Sequence, residues 1–419
     1  MLEQLIKRFK KKELTVSIIG MGYVGLPLSL LFAKNKIRTL GIDIDKNKVD
    51  SLARGKSYIN HIKSSFIKNY VDRNFFLPSS NFKLVNESDV IILCLPTPLN
   101  KFREPNLSHI KNTLNNIKDY LKKGQLISLE STSYPGTTED IFIPLIKEKG
   151  LNIGEDFFVT YSPEREDPGN TSYSVEKIPK VVGGLSKNCL CLGTILYQLV
   201  FEKVHSVSST KVAEMTKLLE NIHRCINISL VNELKPLCIE MGIDIYEVID
   251  AAKTKPFGFT PFYPGPGLGG HCIPIDPFYL TWKAKEYKMS TKFIELAGEV
   301  NAHMPHFVLK RIIEALNINC KSIKNSKILI LGISYKKNID DIRESPALEL
   351  IKLLLKNNAI INYSDPYFPE FPKSRNVTFK SKSVKINKNN LKKYDLIILI
   401  TNHDSFNYDL IKKRKQFNS

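Results

Sequence analysis

Between residues 15 and 33 the chain reads as a buried strand, a glycine loop and an apolar helix, and that order leaves few folds open. Thr15-Val-Ser-Ile-Ile-Gly20 is a short apolar run rich in β-branched residues. It flows into Gly20-Met-Gly22-Tyr-Val-Gly25, and residues 26–33 follow as an apolar helix. A second strand, Thr39-Leu-Gly-Ile-Asp43, ends on an acid about twenty positions past the loop. Alone the glycine spacing is a weak signal; between a strand and a helix, with that acid behind it, it marks a dinucleotide site. Gly20 would make the tight turn, Gly22 would let a pyrophosphate approach the backbone, and Gly25 would let helix and strand pack closely. Asp43 would accept hydrogen bonds from the adenosine ribose. A carboxylate there repels a 2′-phosphate, so the spacing argues for NAD over NADP.

The same rhythm continues. Asp89-Val-Ile-Ile-Leu-Cys-Leu is a buried strand closed by Pro96-Thr97-Pro98. Leu126-Ile-Ser-Leu-Glu130-Ser131-Thr132 and Phe157-Phe-Val-Thr-Tyr161-Ser162-Pro163-Glu164 are two more, and Lys180-Val-Val-Gly-Gly184 is the last of this half. Polar residues gather at the carboxyl ends of these strands, where open α/β sheets bind ligands. For Thr132 or Glu164 alone, turn chemistry after a strand is an equal reading; their repeated position makes them candidates. Further on, Ser326-Lys-Ile-Leu-Ile-Leu-Gly332, residues 359–364 before Asp365, and Asp395-Leu-Ile-Ile-Leu-Ile400 restore the α/β rhythm around a helix at 345–357. The loop Ser334-Tyr-Lys336-Lys337-Asn338 to Arg343 carries many anion donors, which suits phosphate.

From about Thr210 to Met241, apolar residues recur at helical spacing, and Pro236 is expected to kink this long helix. Lys217, Asn221 and Arg224 stand at i, i+4 and i+7, on one face. That face is either a solvated stripe or an inward set of oxyanion donors, and the spacing fits both. Beyond it lies Pro264-Gly-Pro-Gly-Leu-Gly-Gly-His-Cys-Ile-Pro-Ile-Asp276, with four glycines and three prolines in thirteen residues. Such a loop is neither helix nor strand, and it presents one thiol, Cys272, close to a helix that Asp276 would cap, with Pro277 in its first position. A helix N-terminus stabilises a thiolate. The plain alternative is a buried structural Cys, usual for an isolated one; the surrounding loop favours a nucleophile.

These stretches together resemble the UDP-glucose/GDP-mannose dehydrogenase family along essentially the whole chain. The resemblance rests on the Gly20–Gly25 loop, Ser131-Thr132, Ser162-Pro-Glu164, Lys217-Leu-Leu-Glu-Asn221, Gly269-Gly-His-Cys272-Ile-Pro-Ile-Asp276 and Asp340-Asp-Ile-Arg343-Glu-Ser. Residues 162–170 and 255–280 are similar to the UDP-N-acetylhexosamine branch, and to UDP-N-acetylglucosamine 6-dehydrogenases above UDP-glucose enzymes. It implies two Rossmann-like doubly wound α/β domains joined by a long central helix: an NAD-binding domain at 1–205, a central helical domain at 206–318 and a UDP-sugar domain at 319–419. The implied activity is oxidation of a sugar C6 alcohol to a carboxylate with two NAD and one water, for capsule or O-antigen synthesis. UDP-N-acetylglucosamine is the implied substrate; the galacto and manno epimers, UDP-glucose, and a non-catalytic nucleotide-sugar binder are the alternatives.

The resemblance also assigns roles. Cys272 is the nucleophile, Lys217 and Asn221 stabilise the oxyanion, Asp276 holds the water that acts as base, and Glu164, with Asp276 and Thr132, positions the hydrolytic water. NAD would be held by Gly20, Gly22, Tyr23, Val24 and Gly25, by Asp43, by Pro96 and Thr97, and by Thr132 and Arg343. Substrate contacts are implied at Glu164, Arg165, Lys217, Asn221 and Arg224, at Phe262, Tyr263 and Gly269, and at Lys336 on the diphosphate or uridine side. A homodimer formed through the long helix is expected. The family usually has a further strand with an Arg after the segment matching 401–406, and this strand is expected to be missing here.

Composition narrows the rest. At 419 residues two or three domains are expected, and 42% hydrophobic with 25% charged residues describes a soluble globular chain. The net charge is +19, but Lys is spread along the whole chain and no nucleic-acid motif accompanies it, so no nucleic-acid partner is expected. The run Lys7-Arg-Phe-Lys-Lys-Lys12 reads as a solvated amphipathic N-terminus. Seven scattered Cys form neither a disulfide framework nor a zinc pattern, so no metal is expected and a reducing compartment is. With no apolar run long enough to span a bilayer and no signal sequence, a cytoplasmic location is expected.

Overall fold

The apolar runs of the first half lie side by side in one sheet. Its strands in chain order are β1 (Thr15–Ile19), β2 (Arg38–Ile42), β3 (Phe76–Ser79), β4 (Val90–Leu93), β5 (Gln125–Leu129), β6 (Phe157–Tyr161), β7 (Lys180–Gly184) and β8 (Val204–Ser206). Their spatial order is β3-β2-β1-β4-β5-β6-β7-β8. β4, β5, β6 and β7 are buried along their whole length, as strands covered on both faces must be. Strand order reverses between β1 and β4, and a crevice opens at such a point, at the carboxyl ends. One pair breaks the parallel rule: β6 and β7 run antiparallel, with Thr160 opposite Gly184 and Tyr161 opposite Gly183.

The computed structural model describes residues 1–59, 62–100, 102, 104–165, 174–270, 273–372 and 377–413. They fall into two compact units, Met1–Glu220 with Phe278–Met289, and Asn221–Pro277 with Ser290–Ser419. The basic N-terminus is more than a solvated tail. Leu2–Lys10 is a helix whose Leu5 and Phe9 enter the core of the first unit, where Leu192, Leu196 and Tyr197 of the helix Lys187–Gln198 also lie. Its lysines face water while the i, i+4 apolar stripe docks.

In the second unit β9 (Lys327–Leu331), β10 (Ile360–Ser364) and β11 (Leu396–Leu399) form a parallel sheet ordered β10-β9-β11. The helix Pro346–Lys356 packs its Leu350, Ile351 and Leu354 into the core of this sheet, and Ser345 caps it through Ala347 N. The helix Thr210–Glu240 is 31 residues long and continues through Pro236.

The two sheets repeat one device. Gly20 N donates to Ile42 O at 2.8 Å, and Gly332 N donates to Ser364 O at 2.8 Å. In each, an acid closing the neighbouring strand grips the turn: Met21 N donates to Asp43 at 2.8 Å, and Ile333 N to Asp365 at 2.7 Å.

Candidate active site

The glycine loop is shaped by contacts no side chain could share. Gly20 has φ +100°, and a Cβ there would lie 2.3 Å from Cys94 O. A Cβ on Gly25 would lie 1.9 Å from Gly20 O, so the helix Gly25–Lys34 starts directly against the turn. Above Gly22 the opposite holds, since an added Cβ meets no atom within 4 Å. That open backbone, the helix start and the acid at the end of β2 fit a dinucleotide. Asp43 is buried, and besides Met21 N its carboxylate takes Asp45 N at 2.9 Å and faces Lys48 Nζ at 3.5 Å. Tyr23 and Val24 are half-buried. Pro96 is exposed, whereas Thr97 is buried with its carbonyl accepting from Tyr279 OH at 2.9 Å.

At the carboxyl ends of β5 and β6 the first unit gathers its candidate catalytic groups. Lys217 turns inward and donates through Nζ to Glu164 O at 2.6 Å. Thr132 is half-buried at the end of β5. Glu164 Oε1 accepts from Arg165 N at 2.7 Å, and the Arg165 guanidinium is engaged by Glu220 (2.6 Å) and by Pro179 O (2.8 Å).

One turn before Lys217, Glu214 is fully buried, and the sequence offered no sign of its task. Its carboxylate accepts from Gly136 N (2.6 Å), Thr138 N (2.9 Å), Thr138 Oγ1 (2.7 Å) and Ser133 Oγ (3.4 Å). It thus ties the segment after Thr132, and the start of the helix Thr137–Glu148, to the helix that carries Lys217. Burial pushes this carboxyl up to about 7 against those donors. Glu214→Gln turns an amide N–H toward donors and is expected to cost about 1–3 kcal/mol in denaturant unfolding. A raised acid holds its proton in the folded state where the unfolded one has lost it. The wild-type advantage is therefore expected to shrink as pH rises between 4.5 and about 7. An advantage that grows over that window would overturn the assignment.

The second unit holds the other candidates. Asn221 is buried and its Nδ2 donates to Asp276 Oδ2, itself 1% exposed; Arg224 is exposed. Asp276 is the first residue of the helix Asp276–Ala284, with Pro277 behind it. Phe262 packs against the cluster of Val231, Cys238, Ile245 and Ile249, and exposed Tyr263 donates to Asp250 at 2.8 Å. Gly269 is pressed on Tyr335, where a Cβ would come within 2.7 Å of Tyr335 Cβ, and Gly270 N donates to Arg343 O at 3.1 Å. Arg343 clamps Asp341 with Nε at 3.0 Å and Nη2 at 2.6 Å, and Lys336 is half-buried. Cys272, with His271, lies outside the described residues.

Among the described residues no His, Cys, Asp and Glu cluster could hold a metal ion, and no helix is long and apolar enough to cross a membrane.

Comparison with known proteins bears on the whole chain. Residues 14–201 match the NAD binding domain of the UDP-glucose/GDP-mannose dehydrogenase family, 211–303 its central domain and 329–418 its UDP binding domain. The chain is 34% identical to the UDP-N-acetyl-D-glucosamine 6-dehydrogenase of Pseudomonas aeruginosa, over 85% of this chain and 83% of that one. It is 35% identical to the UDP-N-acetyl-D-mannosamine dehydrogenase of Campylobacter jejuni, over 85% of this chain and 88% of that one. A solved UDP-D-ManNAc dehydrogenase from Pyrococcus horikoshii superposes with a TM-score of 0.85 at 29% identity, covering 96% of this chain and 93% of that one.

Proposed function

The chain belongs to the UDP-glucose/GDP-mannose dehydrogenase family, and on that premise we propose that it oxidises the C6 alcohol of a UDP-N-acetylhexosamine to the carboxylate with NAD, for surface polysaccharide synthesis. The observation that carries this reading is Lys217 turned onto Glu164 at the mouth of a dinucleotide-type sheet. UDP-N-acetyl-D-glucosamine is the first substrate we propose, on the likeness of residues 162–170 and 255–280. UDP-N-acetyl-D-mannosamine is the second, favoured by the names of the Campylobacter and Pyrococcus relatives.

Gly22 and Asp43 would hold NAD, which when bound supplies the hydride acceptor, one NAD for each of the two hydrides the sugar carbon loses. The chain's own groups do the rest. Asp276, held by Asn221, orients the water that takes the C6 hydroxyl proton. The Cys272 thiolate adds to the aldehyde carbon, and the thiohemiacetal oxygen carries the charge that Lys217 and Asn221 stabilise. Loss of a second hydride leaves a thioester on Cys272. Water aimed by Glu164 and Thr132 cleaves it, releasing the carboxylate and restoring the thiol. Capture on sulfur keeps the aldehyde from escaping.

The three-part division at 1–205, 206–318 and 319–419 and the homodimer belong to the same proposal. The matched ranges support the first. Leu230, Leu237 and Met241, exposed at i, i+7 and i+11 of the long helix and just past it, support a second copy packing there. Purified protein with NAD and a panel of UDP-sugars tests the activity. Two equivalents of NADH per sugar are expected with an N-acetylhexosamine, followed by absorbance. Binding without NADH from any sugar would overturn the reading in favour of a non-catalytic binder.

A further inference from the structure

The first unit buries a cluster of charge to which the chemistry above gives no task, and the inference drawn from it rests on that reading of Glu164. Lys180 is 3% exposed, yet its ammonium stands 2.7 Å from Glu130 and 3.5 Å from Glu164. The rings of Tyr197 and Phe201 lie over it, each 5.3 Å from Nζ, and Tyr197 OH donates to Glu130 Oε1 at 2.6 Å. Among the described residues, Cys94, Tyr197 and Lys217, whose Nζ reaches Glu164 O, are further titratable groups against this cluster, with the Arg165–Glu220 pair beside it.

The antiparallel turn of β7 explains how a lysine arrives there. A parallel β7 would begin at the amino ends of its neighbours, far from any ligand crevice. Running the other way, β7 starts at the carboxyl edge of β6. Continuing the pairing of Thr160 with Gly184 and Tyr161 with Gly183 sets Lys180 across from Glu164, and Ser162 Oγ donating to Val181 O at 2.8 Å holds the strands together there. The first of the two reversed strands, β7, therefore delivers a buried cation to the edge where Glu164 stands.

We propose that Lys180 is a positioning residue for Glu164: it aims that carboxylate at the hydrolytic water, while Glu130 anchors the ammonium from below. Glu130 is sealed and Glu164 is 15% exposed, so the cation has one structural partner and one that faces outward. A purely structural ion pair needs only the first. Burial lowers the lysine's proton affinity, but Glu130 and Glu164 more than offset this and hold it above its ordinary value. Burial, with Glu130 adding to it, keeps Cys94 a neutral thiol. Without the cation, two carboxylates would share one low-dielectric site, and one of them would take up a proton.

The test compares Lys180→Met with Lys180→Arg in the full chain, reading NAD affinity, kcat and the pH profile of kcat. In Lys180→Met, kcat is expected to fall by about 100-fold, with NAD affinity within about 3-fold of wild type. Its acid limb is expected to move up by about one pH unit. Lys180→Arg is expected to keep the wild-type limb and most of the rate. An unmoved acid limb in Lys180→Met, or Lys180→Arg as slow as Lys180→Met, overturns the proposal. Should Lys180→Met aggregate, Lys180→Met combined with Glu130→Gln removes the stranded carboxylate. That double variant is then expected to run at least about 10-fold slower than Lys180→Arg, and equal rates overturn the proposal. Wild-type protein that yields no NADH from any UDP-sugar refutes the activity itself, a result separate from either of these.

Discussion

Cys272→Ser protein is expected to lose steady-state NADH production by about 1,000-fold or more while still binding NAD and UDP-sugar. The argument is one of ionisation. A thiol ionises far more readily than a serine hydroxyl, which is almost wholly protonated at neutral pH. The aldehyde carbon then finds no nucleophile, and without a covalent adduct the second hydride has no tetrahedral donor carbon to leave. Lys217 and Asn221 would remain in place but with no oxyanion to stabilise. Calorimetric titration with the sugar checks binding, and absorbance checks turnover. Turnover equal to wild type in this variant would end the covalent mechanism.

Gly25→Ala is expected to be the most damaging single methyl in the first unit. Its Cβ would sit 1.9 Å from Gly20 O and 3.2 Å from Cys94 Cβ, and a backbone carbonyl at the end of a buried strand cannot step aside. The helix Gly25–Lys34 must then lift off the turn. Overpacking of this kind costs about 3 kcal/mol or more in unfolding free energy, and NAD binding goes with it. Gly22→Ala is the informative contrast. With nothing within 4 Å of the new methyl, its stability should stay within about 0.5 kcal/mol of wild type. Its NAD affinity should still fall, because the methyl occupies the approach to the phosphates. Guanidinium unfolding with NAD titration separates the two effects. Wild-type stability and affinity in Gly25→Ala would contradict the packing described.

What could be read from the chain beforehand follows a physical division. Long apolar runs announced β1, β4, β5, β6 and β9, because a strand buried on both faces has little choice of residue. β3 and β8, four and three residues long, carry too little pattern to show. Helical spacing placed Lys217 and Asn221 on a common face, but spacing names a face and never its neighbour, so the choice between solvent and interior waited for Glu164 O and Asp276. Glu214 and Lys180 escaped entirely because their partners stand far off in sequence: Thr138 is 76 positions from Glu214, and Glu130 is 50 from Lys180. The one available signal was a lysine heading the apolar run Lys180-Val-Val-Gly-Gly184, where a charge needs a reason.

The twin acids that close β2 and β10 have come to differ in vacancy. A carboxylate has about four lone-pair sites. Asp365 meets Ile333 N, Ser334 N, Ser334 Oγ, Tyr367 N and the ring of His403, so its acceptor capacity is filled from within. Asp43, among the described residues, meets two backbone N–H groups and one lysine. The first acid therefore keeps acceptor capacity that a ribose's vicinal hydroxyls would fill, while the second is committed to shaping its own turn.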